Sequence, residues 1–179
     1  LLPKDGVVVS DTGHSGMWSA TMIDFTHPEQ RYIRCAGSMG WGFPGALGVK
    51  CALPDRPVLC WTGDGAFYYH VAELETAARY GINLVTVVNN NSSGNQSKRG
   101  FDRAYGGEQT EQARELWTYN PMNFARLAED MGALGIRVEH PAEFGPALAQ
   151  ALAANRPAVI DVATDIEALA PVAVRRGRT

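Results

Sequence analysis

Short apolar runs alternate with longer stretches whose apolar residues recur at helical spacing. Residues 7–10, 32–35, 58–62, 84–88, 135–138 and 158–162 are such runs, bounded by turn residues, and the spacing predicts buried strands there. Helices are expected over 44–53, 66–80, 121–131 and 142–154. In the second, Val71, Leu74 and Ala78 form one apolar stripe, with Ala77 one position off the strict pattern. Asn120 followed by Pro121 has the chemistry of an N-cap and first helical residue. Strand and helix units alternating at this length build an α/β fold, a parallel sheet flanked by helices on both faces.

Residues 89–119 break the rhythm. They carry Asn, Ser, Gly, Gln and charges with little periodicity, and are expected to form a long loop. A loop of that length in a compact domain is usually functional or disordered. This one starts at the C-terminal end of a strand, where open α/β sheets place ligands, which favours function.

Composition narrows the classes. A chain of 179 residues is large enough for one core and is read as a single domain. Its net charge of −3 gives no basic footprint for nucleic acid. The apolar run 82–88 stops well short of the ~18 residues a membrane helix needs. No segment has the layout of a secretion signal, so a cytoplasmic location is expected. Cys35, Cys51 and Cys60 show no metal-type pairing and are expected to be small buried hydrophobes in a reducing compartment. Residue 1 is Leu, just ahead of a strand, so the chain is expected to be a fragment or one subunit of a larger enzyme. The basic residues Arg175, Arg176 and Arg178 are expected to be a solvated terminus.

The chemistry begins at Thr62-Gly63-Asp64-Gly65-Ala66, between a strand and a helix. Glycines there let a backbone approach a ligand closely, and free N–H groups at a helix start suit a phosphate. Taken alone, Gly-Asp-Gly is more often a plain turn. The next strand ends in Asn89-Asn90-Asn91-Ser92-Ser93-Gly94, and a strand–helix–strand unit returns the chain to the same sheet edge. Asp64 then offers a carboxylate and Asn91 an amide oxygen across one crevice, with a backbone carbonyl beyond. Mg²⁺ prefers one or two such protein oxygens, with water and phosphates completing its octahedron. The turn at 62–66 matches neither the Walker loop nor the dinucleotide GxGxxG pattern.

Gly63-Asp64-Gly65 followed by Asn90-Asn91, with twenty-seven positions from Asp64 to Asn91, resembles the signature of thiamine-diphosphate enzymes. The block from Ala36 to Gly48, with Gly37-Ser38-Met39-Gly40-Trp41-Gly42, is similar to that of the acetolactate synthase and pyruvate decarboxylase group. Asp11-Thr12-Gly13-His14 with Met17-Trp18 resembles that group's opening block, and Phe124 to Glu129 with Gly135 to Val138 its closing helix and strand. The resemblance implies thiamine diphosphate and Mg²⁺ as cofactors. It implies Asp64 and Asn91 as metal ligands by side chain and Ser93 by its carbonyl. Gly65 and Ala66 would offer N–H groups to the diphosphate, as would the backbone around Gly13, His14 and Ser15. Gly94 and Asn95 would approach the same phosphates. The Gly37 carbonyl would accept from the aminopyrimidine amine, and Met39 would be the wedge that bends the cofactor.

The family's activating glutamate lies on a separate pyrimidine-binding domain, often of another subunit, so no catalytic residue is expected in this chain. Glu73 and Glu75 are given surface or structural roles. The implied partners are that domain, on another chain or upstream, in a homo- or hetero-oligomer, and a 2-oxo acid substrate. The implied reaction is decarboxylation with or without acyl transfer. Acetolactate synthases carry Trp nine positions after the second motif Asn, where this chain has Gly100, which counts against acetolactate formation itself. Lys98 and Arg99 leave open an anionic or CoA-like substrate in a lyase or decarboxylase of the same superfamily. A catalytically silent binding or assembly subunit is the remaining alternative.

Overall fold

The structure, a computed structural model, describes residues 1–108 and 110–170; Arg175, Arg176 and Arg178 lie outside the described residues. Among those described, six strands form one sheet: β1 (Val7–Ser10), β2 (Arg31–Arg34), β3 (Val58–Gly63), β4 (Val85–Asn90), β5 (Leu134–Val138) and β6 (Ala158–Ala163). Their order is β2-β1-β3-β4-β6-β5 and every pairing is parallel. Helices α1 (Gly13–Met22) and α8 (Pro141–Ala153) cover one face. Helices α2 (Gly42–Ala52), α3 (Asp64–Tyr68), α4 (Glu73–Tyr80) and α7 (Phe124–Asp130) cover the other. That is the α/β sandwich the alternating pattern predicts. The central strands are buried on both faces, which is why their sequences run Val-Val-Val and Val-Leu-Cys without alternation.

The chain leaves β1 in one direction to form β2, then crosses back to place β3 on the other side of β1. Right-handed crossovers therefore put α1 and α2 on opposite faces, and a crevice opens at the strand ends between them.

Three expectations about helices are corrected, and one helix, α1, is added. Helix α1 shows no apolar stripe: its buried residues are Ser15, Gly16 and Ser19, so no hydrophobic period announces it. Gly16 is needed there, since a Cβ would stand 2.4 Å from the Asp11 carbonyl oxygen. The helix expected over 66–80 is two helices, because tight i→i+3 bonds from the N–H groups of Tyr69 and His70 close a turn between them. The third helix starts at Phe124 and is capped by Asn123, whose Oδ1 accepts the Arg126 N–H at 2.8 Å, not by Asn120. The expected loop 89–119 contains α5 (Asn95–Ala104) and α6 (Glu111–Glu115). Helix α5 is polar nearly all round and is held by Lys98 pairing with Asp102 at i,i+4. Cys60 is buried as expected, whereas Cys35 is half-buried and Cys51 exposed.

Candidate functional site

The C-terminal ends of β1, β3 and β4 meet around a cavity of about 650 Å³. The register pairs Gly63 with Asn89, so Asp64 and the Asn91–Ser93 turn lie side by side. Asp64 is 4% exposed. Its Oδ1 accepts the Gly65 N–H at 2.7 Å, and its Oδ2 accepts those of Asn91 and Ser93, each at 3.2 Å. Burial pushes its pKa up to about 6 despite these bonds. Asp64 lines the cavity together with Asn91 and Ser93. Asn91 Oδ1 stands beside it and accepts from Ser93 Oγ at 2.8 Å. A buried carboxylate next to amide and main-chain oxygens fits a hard divalent cation. Among the described residues there is no cluster of three or more His, Cys, Asp or Glu side chains suited to a metal.

Opposite Asp64, helix α1 points its N-terminus at the cavity. Thr12 precedes it without capping it: the Thr12 hydroxyl accepts from Gly37 N–H at 3.1 Å instead. Gly13 makes the turn into the helix at φ +71°, which suits glycine. Gly13, His14 and Ser15 line the wall. The Ser15 carbonyl accepts from Trp61 Nε1 at 3.1 Å and its hydroxyl from Asn89 Nδ2 at 2.7 Å, which fixes this first turn to β3 and β4.

A third side comes from α5, whose N-cap Gly94 and first residue Asn95 also lack a side-chain cap. The Ala170 N–H donates to His14 Nε2 at 2.7 Å, so the neutral ring carries its proton on Nδ1 and donates to Asn95 Oδ1 at 2.6 Å. Burial and the nearby Arg99 lower the His14 pKa, which favours that neutral form. Asn95 Nδ2 in turn donates to the Ile166 carbonyl.

The fourth side is the loop 37–41. Buried Asp11 accepts the N–H groups of Thr12 and Gly40 on Oδ1, at 2.7 and 3.1 Å, and that of Gly42 on Oδ2 at 2.6 Å. This clamp holds Met39 on the cavity wall with 45% of its surface exposed.

The sequence matches the family model described as thiamine pyrophosphate enzyme, C-terminal TPP binding domain, over residues 11–162. The chain belongs to this family. It is 36% identical over 183 residues to the acetolactate synthase isozyme 3 large subunit of Escherichia coli K12, covering 99% of this chain and 31% of that protein. It is also 36% identical over 181 residues to the acetolactate synthase large subunit of Haemophilus influenzae, with the same shares. A solved structure, the Rhodococcus jostii RHA1 thiamine diphosphate-dependent 4-hydroxybenzoylformate decarboxylase, superposes with a TM-score of 0.74 at 28% identity, over 92% of this chain and 30% of that one. The chain thus spans about a third of the length of these relatives.

This thiamine-pyrophosphate-binding domain gathers at one cavity every residue expected to contact the cofactor except Gly37, which is exposed beyond Met39. Two N–H groups expected to face phosphate are engaged: that of Gly65 by Asp64, and that of Gly94 by the Trp117 carbonyl at 2.6 Å. Lys98 pairs with Asp102 and Glu167, and Arg99 with Asn95 and the Ala168 carbonyl, so both tie α5 to neighbouring chain. Trp41 packs into the core beside Gly45 and is not part of an open cleft. Glu75 pairs with Arg79 at the surface. Among the described residues no glutamate lines the cavity.

Sequence reasoning missed Tyr119, Trp61, Trp18 and Phe144, which line the cavity. The Tyr119 ring lies over Gly65, where a Cβ would meet its hydroxyl at 2.8 Å. The two glycines at 65 and 94 were the available signal for such a close neighbour. Among the described residues no helix is long and apolar enough to cross a membrane.

Proposed function

We propose that this domain binds the diphosphate of thiamine diphosphate through Mg²⁺, and that it serves an enzyme that decarboxylates a 2-oxo acid, with or without transfer of the acyl group to a second carbonyl. The observation that carries this reading is the pairing of a buried carboxylate with two uncapped helix N-termini across one cavity. Asp64 and Asn91 by side chain, and Ser93 by its carbonyl, hold the cation. The first turns of α1 and α5 supply the positive ends that face the diphosphate. Asn89 and Trp61 hold Ser15 in place, and His14 with Asn95 lock α1 to α5. Thiamine diphosphate, when bound, would supply the carbon nucleophile and electron sink such a decarboxylation needs. Met39, on the loop that Asp11 clamps, would support the bend of the cofactor. The apolar wall of Trp18, Trp61 and Phe144 excludes water from the chamber.

The relatives' names support the substrate class: acetolactate synthase and 4-hydroxybenzoylformate decarboxylase. At Gly100 a Cβ would meet nothing within 4 Å, so the place of the acetolactate synthase Trp is open space here. The absence of that Trp counts against acetolactate formation itself. We assign the activating acid to a pyrimidine-binding partner domain, within one chain or across an oligomer.

Titration of the chain with thiamine diphosphate by calorimetry, with and without Mg²⁺, tests the site. Binding should require both components; binding that ignores Mg²⁺, or none at all, sinks the assignment. With cofactor bound, the thiazolium C2 proton should exchange into deuterated buffer near the rate of free cofactor. Fast exchange would place the activating group in this chain.

A further inference from the structure

Asp161 is a fully buried carboxylate in β6, between Ile160 and Val162. A charge buried among apolar strands is destabilising unless its oxygens are matched. Its Oδ2 accepts from Arg137 Nη1 on β5 at 2.8 Å and from the Phe124 N–H at 2.9 Å; its Oδ1 accepts from Asn90 Nδ2 at 2.9 Å. Asn90 is the last residue of β4, one position before Asn91. Its Nδ2 also donates to the Met122 carbonyl at 2.8 Å. Two acceptors on the amide nitrogen decide which way the amide faces. The amide oxygen points back to the chain and accepts the Ser92 N–H at 3.3 Å. Ser92 has φ +54°, a left-handed conformation that residues with a Cβ adopt reluctantly. That single residue turns the chain so that Asn91 and Ser93 both direct their N–H groups at Asp64 Oδ2.

We propose that Asp161 is a positioning residue for the cation site: through the Asn90 amide it keeps Ser92 left-handed and so sets Asn91 and Ser93 around Asp64. Arg137 supports it by neutralising the buried charge. The inference rests on the reading of Asp64, Asn91 and Ser93 as the cation's ligands. It explains why a carboxylate occupies a core position of β6 and why an Asn, with one donor end and one acceptor end, ends β4.

Mn²⁺ is the probe, followed with thiamine diphosphate by the electron paramagnetic resonance of the bound ion in the full chain. Asp161→Asn should weaken Mn²⁺ binding by about tenfold or more, the usual size of an outer-shell effect, and should broaden the bound-ion signal. Ser92→Gly added to that variant should restore most of the affinity, because glycine adopts the left-handed turn without strain. If Asp161 only anchors the start of α7, Ser92→Gly rescues nothing, and the proposal fails. It fails equally if Asp161→Asn binds like the parent. Should Asp161→Asn not fold, Asn90→Ala leaves the Arg137 and Phe124 contacts in place and is tested for the same loss and the same rescue. A parent chain that does not bind Mn²⁺ at all would instead overturn the cation-site reading beneath the proposal.

Discussion

The Asp64 carboxylate accepts the main-chain N–H of Asn91 at 3.2 Å, across 27 positions of sequence. The side chain that starts one helix thus shapes the turn that ends the next strand. The two proposed cation ligands are thereby arranged around each other.

Asp64→Ala and Asn91→Ala should each abolish Mg²⁺-dependent binding of thiamine diphosphate, which calorimetry reads directly. Unfolding in urea should show the fold retained in both, with a change of about 1–2 kcal/mol for Asp64→Ala, which leaves three N–H groups without their acceptor. A variant that binds cofactor like the parent removes its residue from the site.

The raised pKa of Asp64 sets a pH dependence. Between its ordinary 3.8 and about 6, the folded metal-free domain holds a proton that the unfolded chain has lost. Stability therefore falls as pH rises through that window and levels off above it, with a total loss on the order of 2–3 kcal/mol. Mg²⁺ and cofactor should offset the loss above pH 6 and have little effect near pH 4. Denaturation curves with chelator and with Mg²⁺, taken from pH 4 to 7.5, check both arms. Equal Mg²⁺ stabilisation at both ends would contradict them.

Asp11 accepts three buried N–H groups and is the clamp on the Met39 loop. Asp11→Asn keeps its size but puts a donor where only donors already point. It should destabilise the domain by about 2 kcal/mol, the scale of an unsatisfied buried group, and speed proteolysis within residues 37–41. Limited digestion followed by mass spectrometry would show whether the cut falls there.

Two glycine replacements should have opposite signs. Gly135 sits against helix α7, where a Cβ would come 1.9 Å from the Ala125 carbonyl oxygen. Gly135→Ala must move helix from strand and should destabilise by about 1–3 kcal/mol or more. Gly48 lies inside α2 with nothing within 4 Å of its Cβ. Gly48→Ala should stabilise by about 0.5–1 kcal/mol through helix propensity. Melting temperatures of the pair, measured together, separate close packing from helix propensity.

Sequence alone determined the architecture and which strand ends carry the proposed site. Buried parallel strands must be apolar on both faces, so runs such as Val7-Val8-Val9 betray their place. A strand–helix–strand crossover has one hand, so the ends bearing Asp64 and Asn91 must meet. Tertiary structure decided what local pattern does not encode. Helix α1 buries Ser and Gly against the sheet, and a small polar face leaves no hydrophobic period to read. Asn120 with Pro121 has the chemistry of a cap, yet Asn123 caps the helix; Asp161 on β6, bonded to the Phe124 N–H, sets where it starts. Helix α5 is held by charge pairs and by Asn95 reaching His14, contacts whose partners lie up to 81 positions away. Hydrophobic periodicity reports which face of an element is buried. The hydrogen-bond networks that fix a cap, a left-handed turn or a clamped loop join residues distant in the chain, and exist only once the sheet has brought them together.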